Sequence, residues 1–156
     1  MLRITEIFLS IQGESTFVGL PTVFVRLTGC PLRCRYCDTA YAFSGGELLS
    51  IEDILARVRA LGVGRVTVTG GEPLAQAECK ALLSDLCDAG LAGALEASGA
   101  LSIDGVDERV TTVMDLKTPS SGEHRRNKLD NVGRLRKHDE VKFVISDRAD
   151  YEWSKA

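Results

Sequence analysis

Apolar residues follow two alternating patterns along this chain, one typical of strands and one typical of helices. Runs rich in β-branched residues at 22–27 and 65–69 predict strands. Between them, the segment 50–61 carries apolar residues at helical spacing and predicts an amphipathic helix. Ser50 and Asp53 form a plausible capping pair at its start. The first half of the chain therefore alternates strand and helix.

The second half continues this alternation with three further strands and two further helices. Such an order predicts a parallel sheet whose crossover connections are right-handed. No internal repeat or long linker interrupts it, so we expect one α/β domain over residues 1–156. The predicted strands are 93–97, 111–116 and 140–145, and the predicted helices are 75–89, closed by Gly90, and 127–137.

Composition and charge narrow the class of protein. Apolar residues make up 44% of the chain and charged residues 26%, which is typical of a globular domain. A net charge of −3 argues against a general nucleic-acid binder, and no apolar run is long enough to span a membrane. Five cysteines, an odd number, without a recognisable secretory signal favour free thiols in a reducing cytoplasm.

Three cysteines lie close together just after the strand predicted at 22–27. Cys30, Cys34 and Cys37 have the spacing C-x3-C-x2-C, and Tyr36 precedes the third. Clustered thiolates are soft ligands that suit an iron–sulfur cluster. Three ligands on a [4Fe–4S] cubane leave one iron open to another molecule, which favours catalysis. Structural zinc is the alternative, but it needs a fourth protein ligand, which would come from Cys79, Cys87, His124 or His138.

Four polar or glycine-rich segments follow predicted strands directly. They are the cysteine loop, Gly70–Gly71, the segment 96–98 and the segment 115–117. Because active sites of parallel α/β folds gather at the carboxyl ends of the strands, we expect these segments to form one site. Cys79 and Cys87 fall within a predicted helix and are expected to be structural thiols.

Two motifs in this order resemble those of radical S-adenosylmethionine (SAM) enzymes. One is the cysteine motif with its aromatic residue, and the other is Thr-Gly-Gly-Glu-Pro at 69–73. Within that superfamily, the segments 6–14, 37–41 and 115–122 are similar to the 7-carboxy-7-deazaguanine synthase family. The resemblance extends from residue 6 to about residue 146 and implies an incomplete, TIM-like barrel with parallel strands.

The resemblance also implies a reaction, cofactors and partners. In this family a reduced [4Fe–4S] cluster cleaves SAM, and the resulting 5′-deoxyadenosyl radical takes a hydrogen atom from 6-carboxy-5,6,7,8-tetrahydropterin. Ring contraction with loss of ammonia then gives 7-carboxy-7-deazaguanine, a precursor of queuosine and other 7-deazapurines. Mg2+ assists, an electron donor such as flavodoxin or ferredoxin supplies the reducing electron, and the enzyme is a cytoplasmic homodimer that engages neither nucleic acid nor membrane.

Site roles carry over by position onto matching residues. The cluster ligands implied are Cys30, Cys34 and Cys37, and Thr39 is implied to bind Mg2+. The SAM-binding residues implied are Tyr36, Cys37, Asp38, Gly70, Gly71, Glu72, Ser98, Asp115, Leu116 and Lys117. The substrate-binding residues implied are Ile11, Gln12, Gly13, Glu14, Arg26 and Thr69. Arginine suits a planar carboxylate because its guanidinium donates two parallel hydrogen bonds.

Two departures from the family pattern and two alternative functions stay open. Glu96-Ala97-Ser98 replaces the more usual Glu-Thr-Asn or Glu-Thr-Ser, and family members continue past Ala156 to a final strand and a segment that helps to close the pocket. A glycyl-radical-enzyme activase shares the cluster spacing, although its partner is a large protein. A non-enzymatic iron–sulfur or zinc-binding module would not need the Gly-Gly-Glu-Pro turn.

Overall fold

The apolar runs of the sequence form the strands of one sheet. In the computed structural model, which describes residues 1–156, seven strands and three α-helices are connected by loops and five short 3-10 helices. The strands are β1 (Leu2–Ile11), β2 (Pro21–Leu27), β3 (Glu47–Leu49), β4 (Arg65–Gly70), β5 (Ala92–Ala97), β6 (Thr111–Asp115) and β7 (Glu140–Lys142). The helices are α1 (Ile51–Ala60), α2 (Cys79–Asp88) and α3 (Arg148–Lys155).

The strand order is β3-β1-β2-β4-β5-β6-β7, so the sheet is open at both ends. The strands β2, β4, β5, β6 and β7 are parallel, as expected for a partial barrel. In contrast, β1 pairs antiparallel with both β2 and β3, and neither β1 nor β3 was among the predicted strands. A short connection between β1 and β2 reverses the chain, whereas a parallel pair needs a long crossover.

The two faces of the parallel strands have different surroundings. Val23, Val25 and Val68 point to one face, where they join a fully buried core with residues of α1 and α2. Because successive side chains of a strand point to opposite faces, Phe24 and Arg26 point to the other face. That second, concave face lines a cavity. The strands therefore separate a dry core from the candidate site.

Several predicted boundaries are confirmed. The Asp53 backbone N–H donates to Ser50 Oγ at 3.0 Å, which caps the start of α1. Gly90, with φ of +80°, follows the end of α2 as predicted. The predicted helix 75–89 begins later, at Cys79, after a 3-10 turn at Pro73–Ala75. None of the helices is long and apolar enough to cross a membrane.

The predicted helix at 127–137 is wrong. Only Leu129–Arg134 is helical, and it is a 3-10 helix. Asn131 is fully buried there and donates from its side chain to the carbonyls of Gly99 and Leu101, at 3.2 and 2.7 Å. These tertiary hydrogen bonds outweigh an α-helical preference that asparagine, aspartate and glycine already weaken. The strand predicted at 140–145 is also shorter, because β7 ends at Lys142.

Candidate active site

The carboxyl ends of the parallel strands open onto a cavity of about 420 Å³. Residues of alternate positions reach it: Arg26 from β2, Thr69 from β4, Glu96 from β5 and Asp115 from β6. The register places Arg26 beside Thr69 and Asp115 beside Lys142. Every predicted site residue lines this cavity except Ile11, Glu72 and Leu116. The sequence expectation of one shared site is therefore matched in geometry.

The cysteine loop leaves β2 and packs against the Gly-Gly turn after β4. The Gly71 N–H donates to Leu27 O at 3.2 Å, and the Glu72 N–H donates to Gly29 O at 2.8 Å. A Cβ atom on Gly71 would lie 2.3 Å from Gly29 O and 2.8 Å from Cys30 Cβ. Only glycine permits this approach, so the two motifs are locked together at the point where they meet.

The three cysteines of the loop are half-buried thiols, and each lines the cavity. Burial raises the pKa of Cys30 and of Cys34, and the nearby Lys117 ammonium opposes that rise in both. The side chain of Lys117 is only 13% exposed and its Nζ lies 3.0 Å from Asp115 Oδ2. Burial alone would lower the pKa of Lys117, but the Asp115 carboxylate outweighs it and the pKa is raised. A largely buried ammonium therefore lies near Cys30 and Cys34.

These thiols fit a cluster better than a single ion. No three His, Cys, Asp or Glu side chains converge closely enough to hold one metal ion, whereas a structural zinc needs four ligands around one point. In a cubane each thiolate binds a different iron, so its ligands stand further apart. Of the predicted structural thiols, Cys79 lies in α2 and does not line the cavity. It is fully buried, and burial raises its pKa to about 12.

Glu72 has a different position from the one expected of a direct SAM ligand. It is fully buried and does not line the cavity. One carboxylate oxygen accepts the Leu74 N–H at 3.0 Å, and the other accepts the Ser98 N–H at 2.7 Å and also the Ser98 hydroxyl. Glu72 therefore ties the Gly-Gly turn to the end of β5. It sets the position of groups that do face the cavity, Gly71 and Ser98.

A series of alternating charges crosses the cavity wall. Lys142 Nζ lies 2.5 Å from Glu14 Oε2 and 3.6 Å from Asp115 Oδ2, and Asp115 also pairs with Lys117. Burial would lower the pKa of Lys142, but Glu14 and Asp115 raise it. Asp115 is 9% exposed and its Oδ1 atom is buried without a hydrogen-bond partner. Because buried polar atoms are normally paired, Oδ1 is available to a ligand.

The cavity lining also includes Arg26 and the side chains of Gln12, Thr69 and Glu96. Arg26 Nε donates to Glu6 Oε1 at 2.7 Å, which leaves its two terminal nitrogens free. Thr69 Oγ1 donates to Glu96 Oε2 at 2.7 Å, and Gln12 Nε2 lies 3.4 Å from Glu96 Oε1. These residues therefore present both a guanidinium and a carboxylate to a ligand in the cavity.

The sequence reasoning gave no role to Glu96 or Lys142, although both line the cavity. Each lies near the carboxyl end of a parallel strand and on its concave face. For Glu96, the available signal was a single charged residue in an otherwise apolar strand. The cavity lining is completed by apolar side chains that the prediction also omitted, namely Phe24, Leu32, Phe43, Ala97, Val113 and Val144.

Comparison with known proteins identifies the family. The sequence-family model of the Radical SAM superfamily matches residues 24–115 of this chain. A 7-carboxy-7-deazaguanine synthase from Koribacter versatilis is 45% identical over 156 residues, which cover 99% of this chain and 69% of that protein. The chain belongs to the 7-carboxy-7-deazaguanine synthase family of the radical SAM superfamily. The synthase of Chlorobaculum tepidum is 47% identical, covering 99% of this chain and 72% of its own length.

A solved structure supports the same assignment. The crystal structure of QueE from Escherichia coli superposes with a TM-score of 0.85 at 25% sequence identity, covering 99% of this chain and 76% of that chain. The radical SAM family implies a [4Fe–4S] cluster and SAM, and the three half-buried thiols around one cavity fit that requirement. The chain is thus a radical SAM enzyme of the lyase type.

Proposed function

We propose that this chain converts 6-carboxy-5,6,7,8-tetrahydropterin to 7-carboxy-7-deazaguanine with release of ammonia, in the biosynthesis of queuosine and other 7-deazapurines. The near-complete match to synthases named for this product supports the proposal. The observation that carries it is that one cavity is lined both by the three thiols and by the polar side chains of Arg26 and Glu96. A partly enclosed cavity of this size is typical of small-molecule sites.

The cluster and SAM, when bound, supply the primary carbon radical, and the protein positions and shields them. We assign Cys30, Cys34 and Cys37 as the cluster ligands. Tyr36 is assigned to the adenine, and its hydroxyl is buried without a protein partner. The remaining assigned SAM contacts are the backbone at 36–38, the turn at 70–71, Ser98, and Asp115 to Lys117, with Glu72 acting through Ser98.

Within this assignment, Asp115 and Lys117 bind polar groups of SAM that suit their opposite charges. The Lys117 ammonium suits the methionine carboxylate, because opposite charges attract strongly at a largely buried site. The free Asp115 Oδ1 suits a ribose hydroxyl or the methionine ammonium, since a carboxylate accepts hydrogen bonds from either. Both side chains lie on the wall of the same cavity as the thiols.

For the substrate, we assign the free terminal nitrogens of Arg26 to the pterin carboxylate. The Glu96 carboxylate can accept hydrogen bonds from pterin N–H groups. Gln12 and Thr69 hold this Glu96 carboxylate in place. Glu14 and the backbone at 11–13 complete the assigned substrate contacts. The Glu14–Lys142 ion pair connects this segment to β7, and both residues line the cavity.

The proposed magnesium ligand is Thr39, whose hydroxyl donates to Asp38 Oδ1 at 2.5 Å in this structure. Mg2+ commonly keeps several waters and uses few protein ligands, so one hydroxyl with substrate oxygens is chemically adequate. We expect Thr39→Ala to weaken the response to Mg2+. The Mg2+ concentration that gives half of the maximal rate of product formation should rise about tenfold. An unchanged Mg2+ response in Thr39→Ala would remove Thr39 from the site.

The proposal predicts that deoxyadenosine formation depends on the pterin. Reconstituted protein, reduced by dithionite under anaerobic conditions, is incubated with SAM, with and without 6-carboxytetrahydropterin. We expect added pterin to raise deoxyadenosine formation and to yield 7-carboxy-7-deazaguanine, detected by mass spectrometry. Deoxyadenosine that forms but does not respond to the pterin would contradict the proposal and favour a glycyl-radical-enzyme activase.

We further propose a cytoplasmic homodimer that receives electrons from a flavodoxin or a ferredoxin. Free thiols throughout the chain fit a reducing compartment. Sedimentation of the native protein tests the dimer, and an exclusively monomeric species at micromolar concentration would contradict it. Replacing dithionite with reduced flavodoxin or ferredoxin tests the electron donor.

A further inference from the structure

The cysteine loop is hydrogen-bonded on both sides of Cys34 to a turn that follows β6. We call residues 118–123 the docking turn. The Arg33 N–H donates to the Glu123 carboxylate at 2.7 Å, and the Arg35 N–H donates to Ser121 O at 3.0 Å. The docking turn therefore accepts hydrogen bonds from two backbone N–H groups of the cysteine loop, one on each side of Cys34.

The side chain of Arg33 also hydrogen-bonds to the backbone of the cysteine loop. Its Nη1 atom donates to Cys30 O at 2.7 Å and to Leu32 O at 2.6 Å. Its guanidinium also lies over the Phe43 ring, 4.2 Å from the centroid. One residue thus joins the carbonyl of the first cysteine, the 3-10 helix after the third cysteine and the docking turn.

The docking turn is itself fixed by short polar contacts. The Ser121 hydroxyl donates to Thr118 O at 2.6 Å and accepts the Glu123 N–H at 3.0 Å. Thr118 Oγ1 donates to Val144 O at 2.8 Å, and the buried Asp150 of α3 accepts the Ser120 N–H at 2.9 Å. A rigid support of this kind can impose its geometry on the cysteine loop, which has no regular secondary structure of its own.

We propose that Arg33 and Glu123 are positioning residues that hold the cysteine loop in the conformation in which its three sulfurs can bind one cluster. In metal sites generally, residues that contact the metal ligands orient those ligands, and the loss of such contacts lowers metal affinity. The inference depends on the family's cluster and not on the pterin reaction. It therefore can fail while the proposed function stands, and the reverse also holds.

The test measures cluster retention in four variants without any substrate. Reconstituted Glu123→Ala and Arg33→Gln should lose iron to an excess of chelator about tenfold faster than wild type, because each removes a charge-assisted hydrogen bond. Glu123→Gln keeps an acceptor oxygen at the same place and should retain the cluster at close to the wild-type rate. Arg125→Gln is the matched control, since Arg125 is exposed and its side chain makes no hydrogen bond or ion pair.

Two further readouts separate positioning from general destabilisation. The unfolding temperatures of the cluster-free variants should not follow the order of their iron loss. The electron paramagnetic resonance spectrum of the reduced cluster should broaden only in Glu123→Ala and Arg33→Gln. Wild-type retention in both of these variants would overturn the proposal. So would a Glu123→Gln variant that loses iron as fast as Glu123→Ala, or a loss that simply follows the unfolding temperature.

Discussion

Replacing Cys34 with alanine is expected to abolish deoxyadenosine formation and the brown colour of the reconstituted protein. Only three cysteines line the cavity, so this variant keeps two thiolates, which are too few to hold a cubane. We expect iron in the purified variant to fall to background and the rate of SAM cleavage to fall by more than about a thousandfold, since the chemistry belongs to the cofactor. Iron analysis and chromatography of deoxyadenosine measure both effects.

Cys87→Ala is the matched control for this variant. Cys87 is half-buried in α2 and its thiol does not line the cavity. It should retain iron, colour and activity. A colourless Cys87→Ala, or a Cys34→Ala variant that keeps a full cluster, would contradict the ligand assignment.

Replacing Gly71 with alanine is expected to lower SAM cleavage about 10- to 100-fold. The new methyl group would lie 2.3 Å from Gly29 O, 2.7 Å from Gly29 C and 2.8 Å from Cys30 Cβ, so the cysteine loop or the turn must move. Overpacking of this kind costs about 1–3 kcal/mol, and each 1.4 kcal/mol or so corresponds to about tenfold in a rate or binding constant. The SAM dissociation constant and the cleavage rate measure the effect.

Gly64→Ala controls for the added methyl group. Gly64 precedes β4 and has open space where a Cβ would lie. This variant should cleave SAM at the wild-type rate. Wild-type cleavage by Gly71→Ala would show that the close approach between the two motifs has no role in catalysis.

The local elements of this fold could be predicted where the pattern and the packing agree. The segment 50–61 forms α1 because its apolar face packs into the core and Ser50 caps the start of the helix. Similarly, the β-branched run at 65–69 becomes a central strand buried on both sides. The cysteine loop and the Gly-Gly turn were located correctly because both follow parallel strands, whose carboxyl ends must meet.

The remaining features depend on contacts between distant segments. Asn131 donates hydrogen bonds to carbonyls of the loop after β5, so the structure of residues 127–137 could not be assigned from local preference. Glu72 was expected to contact SAM, yet its carboxylate is occupied by Ser98, which lies 26 positions away. Lys142 became a candidate, and Glu96 gained a position within the segment already expected at the site, only when the register showed which face of each strand lines the cavity.

The central claim is that Cys30, Cys34 and Cys37 hold a cubane with one iron left for SAM. Its most direct test is electron paramagnetic resonance of the reduced, anaerobically purified protein, recorded with and without SAM on material whose metal content is known. We predict about four iron atoms per chain and a spectrum that changes when SAM is added. Zinc in place of iron, or an iron–sulfur spectrum that SAM leaves unaltered, would contradict the account.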